Sequence, residues 1–87
     1  MSDRQAPLSD TEYVRIVAGR VRALRRARDL SQQQLAELAG TSRAFVSGFE
    51  QGRHSIELRR LRRLATALET TVGALVSGID KPPMART

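Results

Sequence analysis

The sequence predicts a compact all-α fold of five helices in one domain, and three observations carry that reading. Apolar residues recur at intervals of three and four through most of the chain, which is the helical period. Capping residues and glycines cut that pattern into five short segments. Aromatic residues are nearly absent: Tyr13, Phe45 and Phe49 are the whole set. Leucine, valine and alanine must therefore build the core, a composition that favours helices. At 87 residues one small core is expected, without a separate effector domain.

Residues 1–8 read as a mobile arm and 80–87, with Pro82 and Pro83, as a tail, since neither carries a helical period. The domain is thus expected over 9–79. Its first helix opens at Ser9, where SDTE is a capping box with Glu12, and Leu8 and Tyr13 stand at the positions of a hydrophobic staple. It runs to about Arg28 on the row Val14, Val17, Ala18, Val21 and Leu24, leaving Arg15, Arg22 and Arg26 in water. Arg25 falls at the edge of that buried stripe. Asp29 stands where a left-handed residue ends the helix.

The second helix starts at Ser31 with another box (Ser31, Gln34) and staple (Leu30, Leu35) and stops at Gly40; Thr41 caps a third, which stops at Gly52. Ser55 caps a fourth, Ile56 to Leu68, with Leu58, Leu61, Leu64, Ala65 and Leu68 on one face and Arg59, Arg60, Arg62 and Arg63 on the other. Thr70 or Thr71 begins the last, with Val72, Leu75 and Val76.

The net charge of +6 comes almost entirely from arginine, and it points to polyanionic partners unless it serves only solubility. No cysteine is present, which excludes disulfides, thiol chemistry and thiolate-held zinc. No apolar stretch approaches a membrane span and the N-terminus has no signal-like apolar region, so a cytoplasmic protein without a membrane partner is expected. Paired carboxylates, a phosphate loop and a nucleophile with its base are all missing, and the single His54 has no second ligand nearby. Neither an enzyme nor a metal or cofactor is expected.

The third helix is the unusual one. On a wheel of ~100° per residue, Val46 and Phe49 mark its core side, flanked by Ser42 and Glu50. Opposite lie Ala44 and Gln51, with Ser47 and Gly48 on either side and Arg43 at a shoulder. A solvated face normally carries long helix-forming side chains, and a mid-helix glycine costs about 1 kcal/mol. So thin a face suits close approach of another surface. A partner helix would call for apolar residues; a DNA major groove suits Arg43, Ser47 and Gln51 better. The short second helix and the Gly40 turn match helix-turn-helix geometry, with Ala36 supplying the small residue where the pair packs, facing Val46.

From Val17 to about Val76 the chain resembles the Cro and phage-repressor (XRE-type) helix-turn-helix regulators. The resemblance rests on GRVRALRRARDLSQQQLAELAG, then TSRAFVSGFEQGR, then the leucine row of the fourth helix. It departs at Asp29, where glycine is common, and in the loop HSIE, which lacks a proline often found there. It implies a lambda-repressor-like domain that binds double-stranded DNA. Arg25 and Glu50 then form a partly buried salt bridge anchoring the recognition helix. Arg43, Ala44, Ser47 and Gly48 meet the groove: Arg43 reads guanine O6 and N7, Ala44 touches a thymine methyl, and Gly48 permits close approach. Gln32, at a helix N-terminus, binds phosphate and braces Arg43. Ser42, Gln51, Arg53 and His54 are assigned to phosphates, with a local cap as the alternative for Ser42. By analogy, Val72, Leu75, Val76 and Ile79 form a homodimer interface, so that two recognition helices read half-sites about one turn (~34 Å) apart, and repression is the expected outcome. An antitoxin with a cognate toxin and a restriction-modification controller use domains of this size as well. Exposed Glu37 is a weak candidate contact for RNA polymerase. An adaptor that keeps the fold without reading DNA is the rival from another class.

Overall fold

Local hydrogen bonds fix where each helix begins and ends. The computed structural model describes residues 8–80, so the expected arm and tail lie outside the described residues but for Leu8 and Asp80. Five helices follow one another: α1 (Asp10–Ala27), α2 (Gln32–Ala39), α3 (Arg43–Glu50), α4 (Leu58–Ala67) and α5 (Val72–Val76). Both expected capping boxes are closed. The Ser9 N–H donates to Glu12 Oε1 at 2.8 Å and the Glu12 N–H returns to Ser9 Oγ at 3.1 Å; Ser31 and Gln34 repeat the pattern at 2.8 and 3.0 Å. The Ser9 backbone, and then its side chain, hold the Glu12 carboxyl below its ordinary pKa.

Four helices stop in the same way. After α1, α2, α3 and α4 a residue with positive φ follows: Asp29 (56°), Gly40 (68°), Gly52 (73°) and Glu69 (57°). The next residue then donates back across the turn, as in Leu30 N–H to Arg25 O (3.1 Å), Thr41 to Ala36 (2.9 Å), Arg53 to Gly48 (2.9 Å) and Thr70 to Ala65 (2.8 Å). This is the Schellman arrangement, which satisfies the last carbonyls.

Two caps differ from the sequence reading. Ser42, not Thr41, caps α3, its Oγ accepting the Phe45 N–H at 3.1 Å, because Thr41 is occupied closing the end of α2. Replacing Ser42 by alanine is expected to cost ~1 kcal/mol in urea unfolding, and Thr41→Ala clearly less. Nor does Ser55 cap α4, which starts later, after Glu57, with no side-chain cap. Leu58, expected on the buried face, is consequently the first residue of the helix and is 73% exposed.

The core gathers Val17, Ala18, Val21, Leu35, Ala36, Val46, Phe49, Leu61, Leu64, Leu68 and Leu75. Leu75, expected on a dimer face, lies instead in the chain's own interior: it is 1% exposed, where α5 packs on α1 and α4. Arg20 has a role that the sequence pattern does not reveal. It donates to the carbonyls of Ser77 (2.6 Å) and Leu75 (3.3 Å) at the end of α5. Tyr13 Oη donates to Asp80 Oδ2 at 3.0 Å, a bond that raises the Tyr13 pKa. Together these bonds tie the C-terminal helix to α1.

Candidate nucleic-acid interface

The site is built on α2 and α3, which pack against each other and in which Ala36 and Val46 are fully buried. Gly40, in the left-handed region, turns the chain sharply between them. With Val46, Phe49 and Glu50 turned inward, α3 presents Ser42, Arg43, Ala44 and Gln51 to solvent and leaves Ser47 half-buried. Gln51 Nε2 donates to Ser47 Oγ at 2.9 Å, so these two polar side chains are held as a pair. Arg43 makes no ion pair among the described residues.

Below this row lies the anchor. Arg25 Nε donates to Glu50 Oε2 at 2.7 Å and its Nη2 to Oε1 at 2.9 Å, a bidentate fork in which the side chains are 10% and 2% exposed. Arg25 Nη1 also donates to Leu30 O at 2.8 Å, holding the turn into α2. The Glu50 hydrogen bonds raise the Arg25 pKa further above its already high value. Gln32 joins the same carboxylate, its Nε2 donating to Glu50 Oε1 at 3.2 Å. The brace onto Arg43 is absent among the described hydrogen bonds, since the Gln32 amide is turned toward the buried carboxylate instead.

Around this pair a shallow depression is lined by Arg22, Arg26, Ser31, Gln32 and Gln51. Helical periodicity alone places Arg22 and Arg26 in solvent. Their spacing of four residues, with Arg25 between them, was the available signal, because it puts two guanidinium groups on the rim beside the N-terminus of α2.

On the other flank the structure changes one assignment. The His54 ring lies beside Phe45 with centroids 4.8 Å apart, and a Cβ added to Gly48 would stand 2.7 Å from His54 Nε2. Gly48 therefore makes room for the protein's own imidazole and is not an open stretch of groove surface. Phe45, half-buried at the edge of the core, also carries the Arg60 guanidinium 4.6 Å from its ring centre. Arg53 is exposed in the loop beyond α3.

A model of the helix-turn-helix family matches residues 21–83, well over half of the chain. The chain belongs to the helix-turn-helix family. Similarity to individual members agrees. The control protein C.SmaI of Serratia marcescens is 39% identical over 62 residues, covering 71% of this chain and 74% of that protein. Among solved structures, the restriction-modification controller C.AhdI of Aeromonas hydrophila superposes with a TM-score of 0.69 at 39% identity, over 71% of this chain and 94% of that one. The P22 c2 repressor, solved with a synthetic operator, gives 0.68 at 25% identity, over 72% and 96%. This helix-turn-helix protein is a DNA-binding transcriptional regulator. Among the described residues no helix is long and apolar enough to cross a membrane, and no group of three His, Cys, Asp or Glu could hold a metal ion.

Proposed function

We propose that the protein binds duplex DNA sequence-specifically as a homodimer and represses transcription by occupying a promoter. The observation that carries this reading is the row Arg43, Ala44, Ser47 and Gln51, presented by a helix whose last residue is locked to the scaffold through Arg25. Laid in the major groove, Arg43 pairs with guanine O6 and N7, Ala44 contacts a thymine methyl, and Ser47, held by Gln51, donates its hydroxyl to a base or phosphate. Ser42 and Arg53 sit at the two ends of α3 and take phosphates on either side. Arg22, Arg26 and Gln32 take another at the N-terminus of α2.

For the second copy, half-buried Val72, Val76 and Ile79 are the residues of α5 and its continuation that still offer apolar surface. A restriction-modification controller is the second reading. It is favoured by the 39% identity to two controllers, a likeness spanning 74% of one and 94% of the other.

Binding to mixed-sequence duplex DNA, titrated with salt, tests the reading. Neutralising Z phosphates gives a log-log slope of about −0.9Z. An adaptor that keeps this fold without reading DNA gives no binding and no slope. Sedimentation of the free protein and of its DNA complex then reports whether two copies bind.

A further inference from the structure

His54 is the chain's single histidine, and three contacts fix its ring at the edge of the α3 face. Phe45 packs against it in a tilted arrangement, with centroids 4.8 Å apart and the planes at 39°. The Nε2–Cδ2 edge overlies Gly48, where a Cβ would come within 2.7 and 3.0 Å of those atoms. Nδ1 lies 2.8 Å from Ser55 O. A carbonyl oxygen only accepts, so Nδ1 carries the proton and donates it. The other nitrogen of the neutral ring is then a bare lone pair, and no hydrogen-bond partner meets it among the described residues. That lone pair repels a phosphate oxygen. The protonated ring offers it an N–H.

The charged and titratable groups around the ring come from several elements. From α1, Asp10 and Tyr13 line the cleft that His54 borders, and Arg15 passes over Gly52. Its own loop brings Arg53, and α4 brings Arg60 onto the shared Phe45 ring, with Glu57 3.7 Å from that guanidinium. From α3 the ring meets Phe45, Gly48 and Phe49, none of them charged. A DNA phosphate arriving at Nε2 adds a negative charge there, which favours the protonated ring over the neutral one.

We propose that His54 is a proton-gated phosphate contact: as the duplex docks, the ring takes a proton from solvent at Nε2 and donates that N–H to a backbone phosphate. This rests on the DNA-binding role proposed above. By linkage, binding tightens as pH falls.

The test measures affinity of the whole chain for a fluorescent mixed-sequence duplex at constant ionic strength, from about pH 8 to about pH 6. Wild type is expected to tighten about three- to tenfold, and His54→Gln, whose amide donates at any pH, to stay flat. Gly48→Ala is the second variant. Its methyl group displaces only the end of a side chain, so the helix is kept while the ring moves, and the pH response should vanish. In NMR, the His54 ring protons should titrate at higher pH in the complex than free. Equal pH slopes in wild type and His54→Gln overturn the proposal by placing the proton elsewhere. Weaker binding at low pH overturns it by making Nε2 an acceptor from a base amino group. Absence of binding at every pH and at low salt instead overturns the DNA-binding role itself, and this proposal with it.

Discussion

Arg25→Met is expected to lower the unfolding free energy by ~3–5 kcal/mol, the range for removing one partner of a buried pair. Methionine keeps most of the aliphatic stem and removes the guanidinium. It leaves the Glu50 carboxylate, 2% exposed in its side chain, with only the Gln32 amide at 3.2 Å. The Leu30 carbonyl loses its donor as well. A domain of this size has roughly 5–15 kcal/mol in total, so the single variant should be marginal near room temperature. The double variant Arg25→Met, Glu50→Leu is expected to recover much of the loss, because an apolar pair has no stranded charge. Urea unfolding of both singles and the double closes the cycle. A loss below ~1 kcal/mol for Arg25→Met would mean that water screens the pair as it does at a surface. The pH sign is also fixed. The folded Arg25 pKa is raised, so its contribution is complete below the unfolded value and is lost only as pH rises through the folded one, far above neutrality.

That pair shows what was legible in the sequence and what was not. Arg25 and Glu50 were found because each sits at the edge of a buried stripe and at positions shared with a known family. Ser9 with Glu12 and Ser31 with Gln34 were legible for a simpler reason: a capping box joins residues three apart, so no tertiary information is needed. Asp29 likewise betrayed its turn. Glu69, at φ 57°, gave no such hint, since the fold of the chain after α4 imposes that conformation on a residue with no preference for it. Thr41 and Ser42 are adjacent hydroxyls, and only the path of the turn decides which caps α3. Leu75 lies on an apolar row that could face either inward or toward another copy, and nothing local distinguishes the two. His54 over Gly48 was hidden for the same reason. The glycine signals close approach by some group, and the occupant is a side chain six residues further on.

Arg43→Ala, finally, is expected to lower affinity for a selected site by ~1–3 kcal/mol, about 5- to 150-fold, and to relax preference at one base step. Arg43 is the first residue of α3, exposed and free of ion pairs among the described residues, so its removal should leave stability nearly unchanged. That separates it from Arg25→Met, which acts through the scaffold. It is distinguished from a phosphate contact by how the loss is distributed. A guanidinium forked onto guanine O6 and N7 discriminates between bases, whereas one set on a phosphate holds every sequence alike. Selection of bound fragments from a random pool, repeated with the variant, measures that distribution. If Arg43 reads a base, one position of the selected site loses its preference while the others keep theirs, and the salt slope is nearly unchanged. If the selected site is unaltered and affinity falls uniformly, with the slope reduced by about one phosphate, Arg43 lies on the backbone. The reading edge of α3 would then begin at Ala44 and Ser47, and specificity would depend more on the shape of the duplex than on hydrogen bonds to its bases.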